Sequence, residues 1–163
     1  MSVAIRDALP SDAEAICAIY NPHVRETIVT FEEVAITPEE MRGRIATIRA
    51  ILPWLVAERD GDILGYAYAA RFIDRTGYRF CAMSTIYMHE KAQRSGIGFS
   101  LYENLLARLR EQSIHSAVGI IALPNPGSIA LHEKCGFKKA GHITEAGFKF
   151  GRWIDVGYWQ VLL

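Results

Sequence analysis

The chain carries no excess charge of either sign, since eighteen lysines and arginines balance eighteen aspartates and glutamates. No long-range field draws it to nucleic acid or to an anionic membrane, so any anion it binds is held by local groups. Long apolar runs are missing as well. The longest, Ile63 to Ala70, has eight residues and includes two tyrosines and a glycine, far short of the about 20 residues that cross a bilayer. Arg6, Asp7 and Asp12 interrupt the N-terminal segment, which does not read as a secretory leader, and the expected location is the cytoplasm. Cysteine is scarce. Cys17, Cys81 and Cys135 are odd in number, far apart and without CxxC spacing, which argues against a disulfide framework or a zinc site, and no metal is expected. What is present is the balance of a packed protein: 163 residues, half of them apolar and 22% charged. One domain spanning residues 1–163 is expected, large enough to bury about two-thirds of its unfolded surface.

Along the chain, Val3 to Arg6 reads as a short strand, and Pro10-Ser11-Asp12 opens a helix with Ala13, Ile16, Ile19 and Tyr20 at helical spacing. Thr37-Pro38-Glu39-Glu40 combines an N-cap, a first-turn proline and a capping-box glutamate ahead of a second helix through Met41, Ile45, Ile48 and Leu52. Between them, Arg25 to Ile36 lacks a helical period and reads as a loop beside a site, with the character of a lid. Trp54 to Glu58 and Asp62 to Phe72 form a hairpin about Asp60-Gly61, and Tyr66 and Tyr68 alternate with Gly65, Ala67 and Ala69 to leave one flat face. Phe80 to His89 is a strand. Ile97, Leu101, Leu105 and Leu109 mark a third helix, Ala117 to Leu123 a strand, and Asn125 to Cys135 a fourth helix. Strands over Phe137 to Ile143 and Trp153 to Leu163 flank a glycine-rich turn at Gly147 to Trp153. The order β, α, α, β, β, β, α, β, α, β, β predicts an α+β, mostly antiparallel sheet with one parallel neighbour pair.

Chemistry concentrates in the run from Ile86 to Gly98, where a strand passes through a short loop into the third helix. Gly96 and Gly98 carry no side chains at the helix entrance, so a ligand can reach the free amides of the first turn at the positive end of the helix dipole. Arg94 adds a cation, and the whole reads as a pyrophosphate cradle. No G-x-x-x-x-G-K-[ST] string occurs, which excludes a P-loop. A dinucleotide fingerprint fails too: Leu101 stands where its third glycine belongs, and Ile121, Ala122 and Leu123 supply no acid at the end of the next strand. A glycine-rich turn that only starts a helix is the alternative.

Gln93-Arg94-Ser95-Gly96-Ile97-Gly98 resembles the Q/R-x-x-G-x-G/A motif of the GNAT superfamily of acetyl-CoA-dependent N-acetyltransferases. The preceding strand, Asn125-x-x-Ser128 and Leu131-His132-Glu133-Lys134-Cys135-Gly136-Phe137 stand in the order that superfamily shows. Over nearly the whole chain the resemblance extends to the phosphinothricin and methionine sulfoximine acetyltransferase branch, through Ile19-Tyr20-Asn21, Thr30-Phe31-Glu32, Gly77-Tyr78-Arg79 and Phe148-Lys149-Phe150-Gly151-Arg152-Trp153. It implies the GNAT (acyl-CoA N-acyltransferase) fold, a mixed, mostly antiparallel twisted sheet flanked by helices on both faces.

The same resemblance implies a set of roles. Backbone groups of Ile86, Tyr87 and Met88 hold the pantetheine arm of acetyl-CoA, the acetyl donor. Gln93, Arg94, Ser95, Gly96, Ile97, Gly98 and Phe99 surround its phosphates. Asn125, Ser128 and Lys134 lie along the coenzyme, although Asn125 and Ser128 also suit helix capping and Lys134 suits a solvated surface. A main-chain N–H near Tyr87 or Met88 faces the oxyanion. The branch places a glutamate base four residues before the tyrosine matching Tyr87, whereas this chain has Met83, whose thioether accepts no proton. His132 stands where many members place a catalytic tyrosine and is expected to act as acid or base through water, with a packed helix histidine as the alternative. Glu32 is a substitute base, and His23, His89, His115 and His142 read as surface or strand-edge residues. Phe31, Glu32, Asp74, Arg75, Thr76 and Tyr78 are expected around a small amino-acid-like substrate, an apolar wall with a cation for its acid group. Phe148, Lys149 and Trp153 are expected near that cleft or at a homodimer interface. Another amine, a protein N-terminus, or a non-catalytic acetyl-CoA sensor are the alternatives.

Overall fold

In the computed structural model, which describes residues 2–163, local signals and structure coincide most closely at the second helix. Thr37 caps α2 (Pro38–Arg49) by accepting from the Glu40 amide, and the Glu40 carboxylate accepts in return from the Thr37 amide at 2.8 Å. The preceding helix, α1 (Ala13–Glu26), follows a 3-10 turn over Pro10–Asp12. The remaining elements are β1 (Ala4–Asp7), β2 (Trp54–Arg59), β3 (Asp62–Arg71), β4 (Cys81–Met88), α3 (Ile97–Glu111), β5 (Ser116–Ala122), α4 (Pro126–Lys134), β6 (Lys138–Lys149) and β7 (Arg152–Leu162). Among the described residues seven strands join one sheet in the order β1-β2-β3-β4-β5-β7-β6, and only β4 and β5 run parallel.

The alternation along β3 decides what packs where. Ala67 and Ala69 present a flat face against which α3 lays Leu101, Leu105, Leu106 and Leu109, all fully buried. Tyr66 points the other way, into a second core with Trp54 and Val56 under Ile16, Ile19, Met41 and Ile45 of α1 and α2. On β4 the same alternation sends Ala82, Ile86 and Met88 toward α3 and Tyr87 toward α1, which places Met83 on the α1 face. Helices therefore cover both faces of the sheet.

Two expectations change. The 27–37 connection is pinned rather than free: the Asn21 side chain bonds both backbone groups of Ile36, and Lys149 donates to the Thr30 carbonyl at 2.8 Å. The last hairpin is longer than its glycines suggest. Irregularities between Lys139 and Gly141 and between Ile143 and Gly147 absorb the glycines as bulges, so β6 continues to Lys149 and the turn shrinks to Phe150-Gly151, both at positive φ.

Candidate active site

β4 and β5 pair only from Cys81↔Ser116 to Ser84↔Gly119 and then separate. Beyond that point β4 stays with β3, through Thr85↔Tyr68 to Met88↔Gly65, while β5 stays with β7. The facing edges of both strands are thus left without a strand partner, and a cleft of about 560 Å³ opens between them. Thr85 to Met88 form one wall and Ile120 to Ala122 the other; α3 enters at one end, α4 lies alongside, and His23 and Val29 close the α1 side. Buried amides and carbonyls need partners, so the bare edge of β4 is suited to an extended amide-bearing ligand laid between the strands.

The mouth is built for an anion. Arg94 at φ 59° and Gly96 at φ 83° turn the chain sharply into α3, and the left-handed Gly96 is the N-cap. Ser95 Oγ donates to the Ala92 carbonyl at 2.6 Å and holds the loop. The first capturing bond is Ser100 N–H to the Gly96 carbonyl at 3.2 Å, which leaves the Gly98 and Phe99 amides without an intrahelical acceptor. A helix of 15 residues adds its dipole. Arg94 and Lys134 line the same opening, the Lys134 ammonium 4.5 Å from the centre of the Phe99 ring.

α4 starts at Asn125, whose side chain accepts from the Ser128 amide at 3.2 Å, so this residue caps the helix and lines the cleft together. One turn on, His132 is 4% exposed. Its Nδ1 lies 2.7 Å from the Ser128 carbonyl, which only accepts, so Nδ1 donates; Nε2 therefore accepts from the Tyr102 hydroxyl at 3.0 Å, and Tyr102 accepts from Ser84 Oγ at 2.7 Å. Burial pushes the imidazole below its usual range, so the ring is neutral at pH 7. It fits only because residue 119 is glycine, where any Cβ would overlap the ring. Ser84 and His132 both line the cleft, joined through Tyr102.

Residues 5–157 match the acetyltransferase (GNAT) domain. The chain belongs to the GNAT acetyltransferase family. It is 39% identical over 158 residues to the phosphinothricin N-acetyltransferase of Streptomyces viridochromogenes, covering 97% of this chain and 86% of that one. With the L-methionine sulfoximine/L-methionine sulfone acetyltransferase of Pseudomonas aeruginosa it shares 35% identity, covering 100% of this chain and 96% of that one. Its structure superposes on the phosphinothricin acetyltransferase of Sinorhizobium meliloti, solved in complex with AcCoA, with a TM-score of 0.95 and 36% identity, covering 100% of this chain and 89% of that one.

Within this GNAT chain the anticipated coenzyme residues fall together. Ile86, Tyr87, Met88, Gln93, Arg94, Gly96, Gly98, Phe99, Asn125, Ser128 and Lys134 line the cleft, while Ile97 is buried in the core and Ser95 braces the loop. The substrate set divides. Asp74, Arg75, Thr76 and Tyr78 line a separate cavity of about 550 Å³ with Ile51, Arg71, Cys81 and Ile114. That cavity adjoins Cys81 at the start of β4, and the cleft lining begins three residues on, at Ser84, roughly 10 Å along the strand at about 3.3 Å per residue. Glu32 and Phe31 lie on the α1 side outside the cleft lining. Glu32 accepts a bidentate pair from Arg44, at 2.5 and 2.9 Å, and the Tyr20 hydroxyl; the guanidinium holds its carboxyl below the usual range, which makes it a poor proton acceptor. Phe31 packs its ring over Gly147.

Two roles, those of Tyr102 and His23, escaped the sequence reading, and Lys149, expected near the cleft or at an interface, has a structural one. Tyr102 is the link between Ser84 and His132. Lys149, 1% exposed, ties β6 to the end of α1 through the carbonyls of Thr30 and His23. His23 lines the cleft, and its position seven residues after Ile16 and three after Tyr20, on the buried stripe of α1, was the available signal.

Proposed function

We propose that this protein is an acetyl-CoA-dependent N-acetyltransferase that moves the acetyl group directly to the α-amino group of a small amino-acid-like substrate of the phosphinothricin, methionine sulfoximine or methionine sulfone type. The observation that carries the reading is the wedge between β4 and β5 ending on the free amides of α3. Pantetheine completes the unpaired edge of β4 along Ile86, Tyr87 and Met88, its diphosphate sits on Gln93 to Phe99, and Arg94 and Lys134 neutralise it. The thioester then lies toward Ser84 and Gly119, where the strands meet. Relatives acting on phosphinothricin and methionine sulfoximine along almost the whole chain support the acceptor class.

Transfer needs a neutral amine, a donor for the oxyanion and a proton for the thiolate. A main-chain N–H near Tyr87 or Met88 supplies the second. His132 exchanges a proton with the cleft through Tyr102 and Ser84: in the resting orientation the chain takes up a proton at Ser84, and the charged ring returns one to the sulfur as the thiolate forms. The activity belongs in the cytoplasm, and the protein works as a homodimer through the exposed Phe148, Phe150 and Trp153 of the β6–β7 hairpin. Met83, in place of the branch's usual glutamate, favours one second reading, a sensor that binds acetyl-CoA without turnover.

One experiment addresses both readings. Calorimetry with acetyl-CoA should give a saturable heat, and CoA release should follow on adding phosphinothricin or methionine sulfoximine, ahead of polyamines and N-terminal peptides. Absence of any coenzyme heat removes the enzyme reading. Binding without CoA release across the whole amine panel leaves the sensor.

A further inference from the structure

The acetyl-transfer reading, on which the following rests, leaves the amine without a base. Met83 has no proton-accepting nitrogen or oxygen. Glu32 is held by Arg44 and Tyr20 on both oxygens. Tyr87 faces α1 with its hydroxyl driven far above its usual range by burial and by neighbouring tyrosines, and His132, held at both nitrogens on the α3 side, exchanges protons with the cleft through Tyr102 and Ser84, where its proton serves the sulfur. Among the described residues that line the cleft, one neutral acceptor is left. His23 sits in the last turn of α1, on the α1 face shared with Met83, with its ring centre 5.5 Å from that of Tyr87 and Val29 beside it at the cleft wall. Its ring has one long hydrogen bond, Nδ1 to Thr27 Oγ1 at 3.5 Å, in contrast to the doubly held ring of His132.

We propose that His23 is the general base of this acetyltransferase, replacing from α1 the carboxylate that β4 lacks. Its surroundings keep the ring uncharged until it is needed. Burial lowers its proton affinity most, the Glu26 carboxylate on the same helix raises it, and the Lys149 ammonium of β6 lowers it. Lys149 donates to the His23 carbonyl at 3.4 Å and so already places a positive charge at the C-terminal end of α1, where the dipole favours one, which discourages a second on the imidazole. Burial lowers the proton affinity of Lys149 most, and Glu33 and Glu32, which face it, raise it again. From β4 the uncharged Tyr87 faces the ring.

The step balances as follows. The free ring nitrogen removes one proton from the substrate ammonium, directly or through one water, and later passes it to solvent. The neutral amine attacks the thioester carbonyl carbon, the C–N bond forms, and the C–S bond breaks to release the CoA thiolate. The second nitrogen proton leaves as the intermediate collapses and the sulfur takes up one proton, so each turnover releases one proton, acetylated amine and CoA.

The test is the purified full chain carrying His23→Gln or His23→Ala, assayed by CoA release at saturating acetyl-CoA from pH 5 to 9. In the wild type, log kcat should fall with unit slope below a break that lies under the usual imidazole value. In both variants kcat at pH 8 should drop on the order of 10²-fold and that break should vanish, while the Kd for acetyl-CoA by calorimetry changes less than about threefold, a shift under 1 kcal/mol. Added imidazole should restore part of the rate in His23→Ala and none in His23→Gln. A His23→Gln enzyme with kcat within threefold of wild type and an intact acid break overturns the assignment, as does a variant that loses coenzyme binding in step with turnover, which is the signature of a structural side chain. A wild type that binds acetyl-CoA yet acetylates no amine overturns the acetyl-transfer reading itself, and this assignment with it.

Discussion

His132 and Ser84 stand on different elements, yet one tyrosine makes them a unit, because the Tyr102 hydroxyl is within hydrogen-bonding distance of both. If His132 reaches the reacting atoms only along this chain, then cutting the chain in the middle is equivalent to removing its end. Tyr102→Phe and His132→Ala should each lower kcat on the order of 10²-fold with little change in the KM for acetyl-CoA, and the double variant should be no worse than either alone, since residues in one network are not additive. Steady-state kinetics of the three variants checks this. A normal kcat in Tyr102→Phe beside a crippled His132→Ala disconnects the chain. Thermal melting belongs in the same experiment, because each deletion leaves a buried polar partner unsatisfied at a cost of about 1–3 kcal/mol.

At the scale of the element, the start of α3 carries the binding argument. Gly96 adopts a left-handed backbone at φ 83°, and a Cβ there would meet nothing within 4 Å, so an alanine is opposed by the backbone alone, by about 1–2 kcal/mol. The loop relaxes by shifting the amides that face the diphosphate. Gly96→Ala should therefore raise the Kd for acetyl-CoA about tenfold while kcat at saturation stays near normal, and calorimetry with an unchanged Kd would detach the α3 amides from the coenzyme. The turn into this element was legible in the sequence because the motif around Gln93 to Gly98 is local. The capping box of α2 and the tyrosine-alanine alternation of β3 were legible on the same ground. Features set by distant partners were not. The bulges that carry β6 through its glycines exist only because β7 lies beside them. The 74–78 segment precedes β4 in sequence, and nothing local says that its side chains line a cavity separate from the cleft. His23 has no motif around it, and only the fold brings the last turn of α1 to the parting of β4 and β5.

Across the whole molecule, the sheet order leaves β6 at one edge. An open edge invites strand addition, but the irregularities at Lys139/Gly141 and Ile143/Gly147 break its run of hydrogen-bonding groups, so association must use side chains instead. They are available. Phe148 and Trp153 pair across the hairpin with ring centres 4.8 Å apart and remain 52% and 63% exposed, and Phe150 at the turn is 56% exposed. Fully covered aromatic side chains bury about 150–250 Å² each, of which little more than half is still exposed here, against roughly 800 Å² per partner in a standard interface, so three of them on one hairpin supply part of an interface core. A second copy of the chain offers the same rings by symmetry, and stacking the two hairpins removes all of them from water. Sedimentation of the wild type should give a dimer, and Trp153→Glu, which forces a charge into that contact without touching the cleft lining, should sediment as a monomer that still binds acetyl-CoA. A wild type that sediments as a monomer at micromolar concentration removes the dimer; a Trp153→Glu protein that remains dimeric moves the interface off this hairpin.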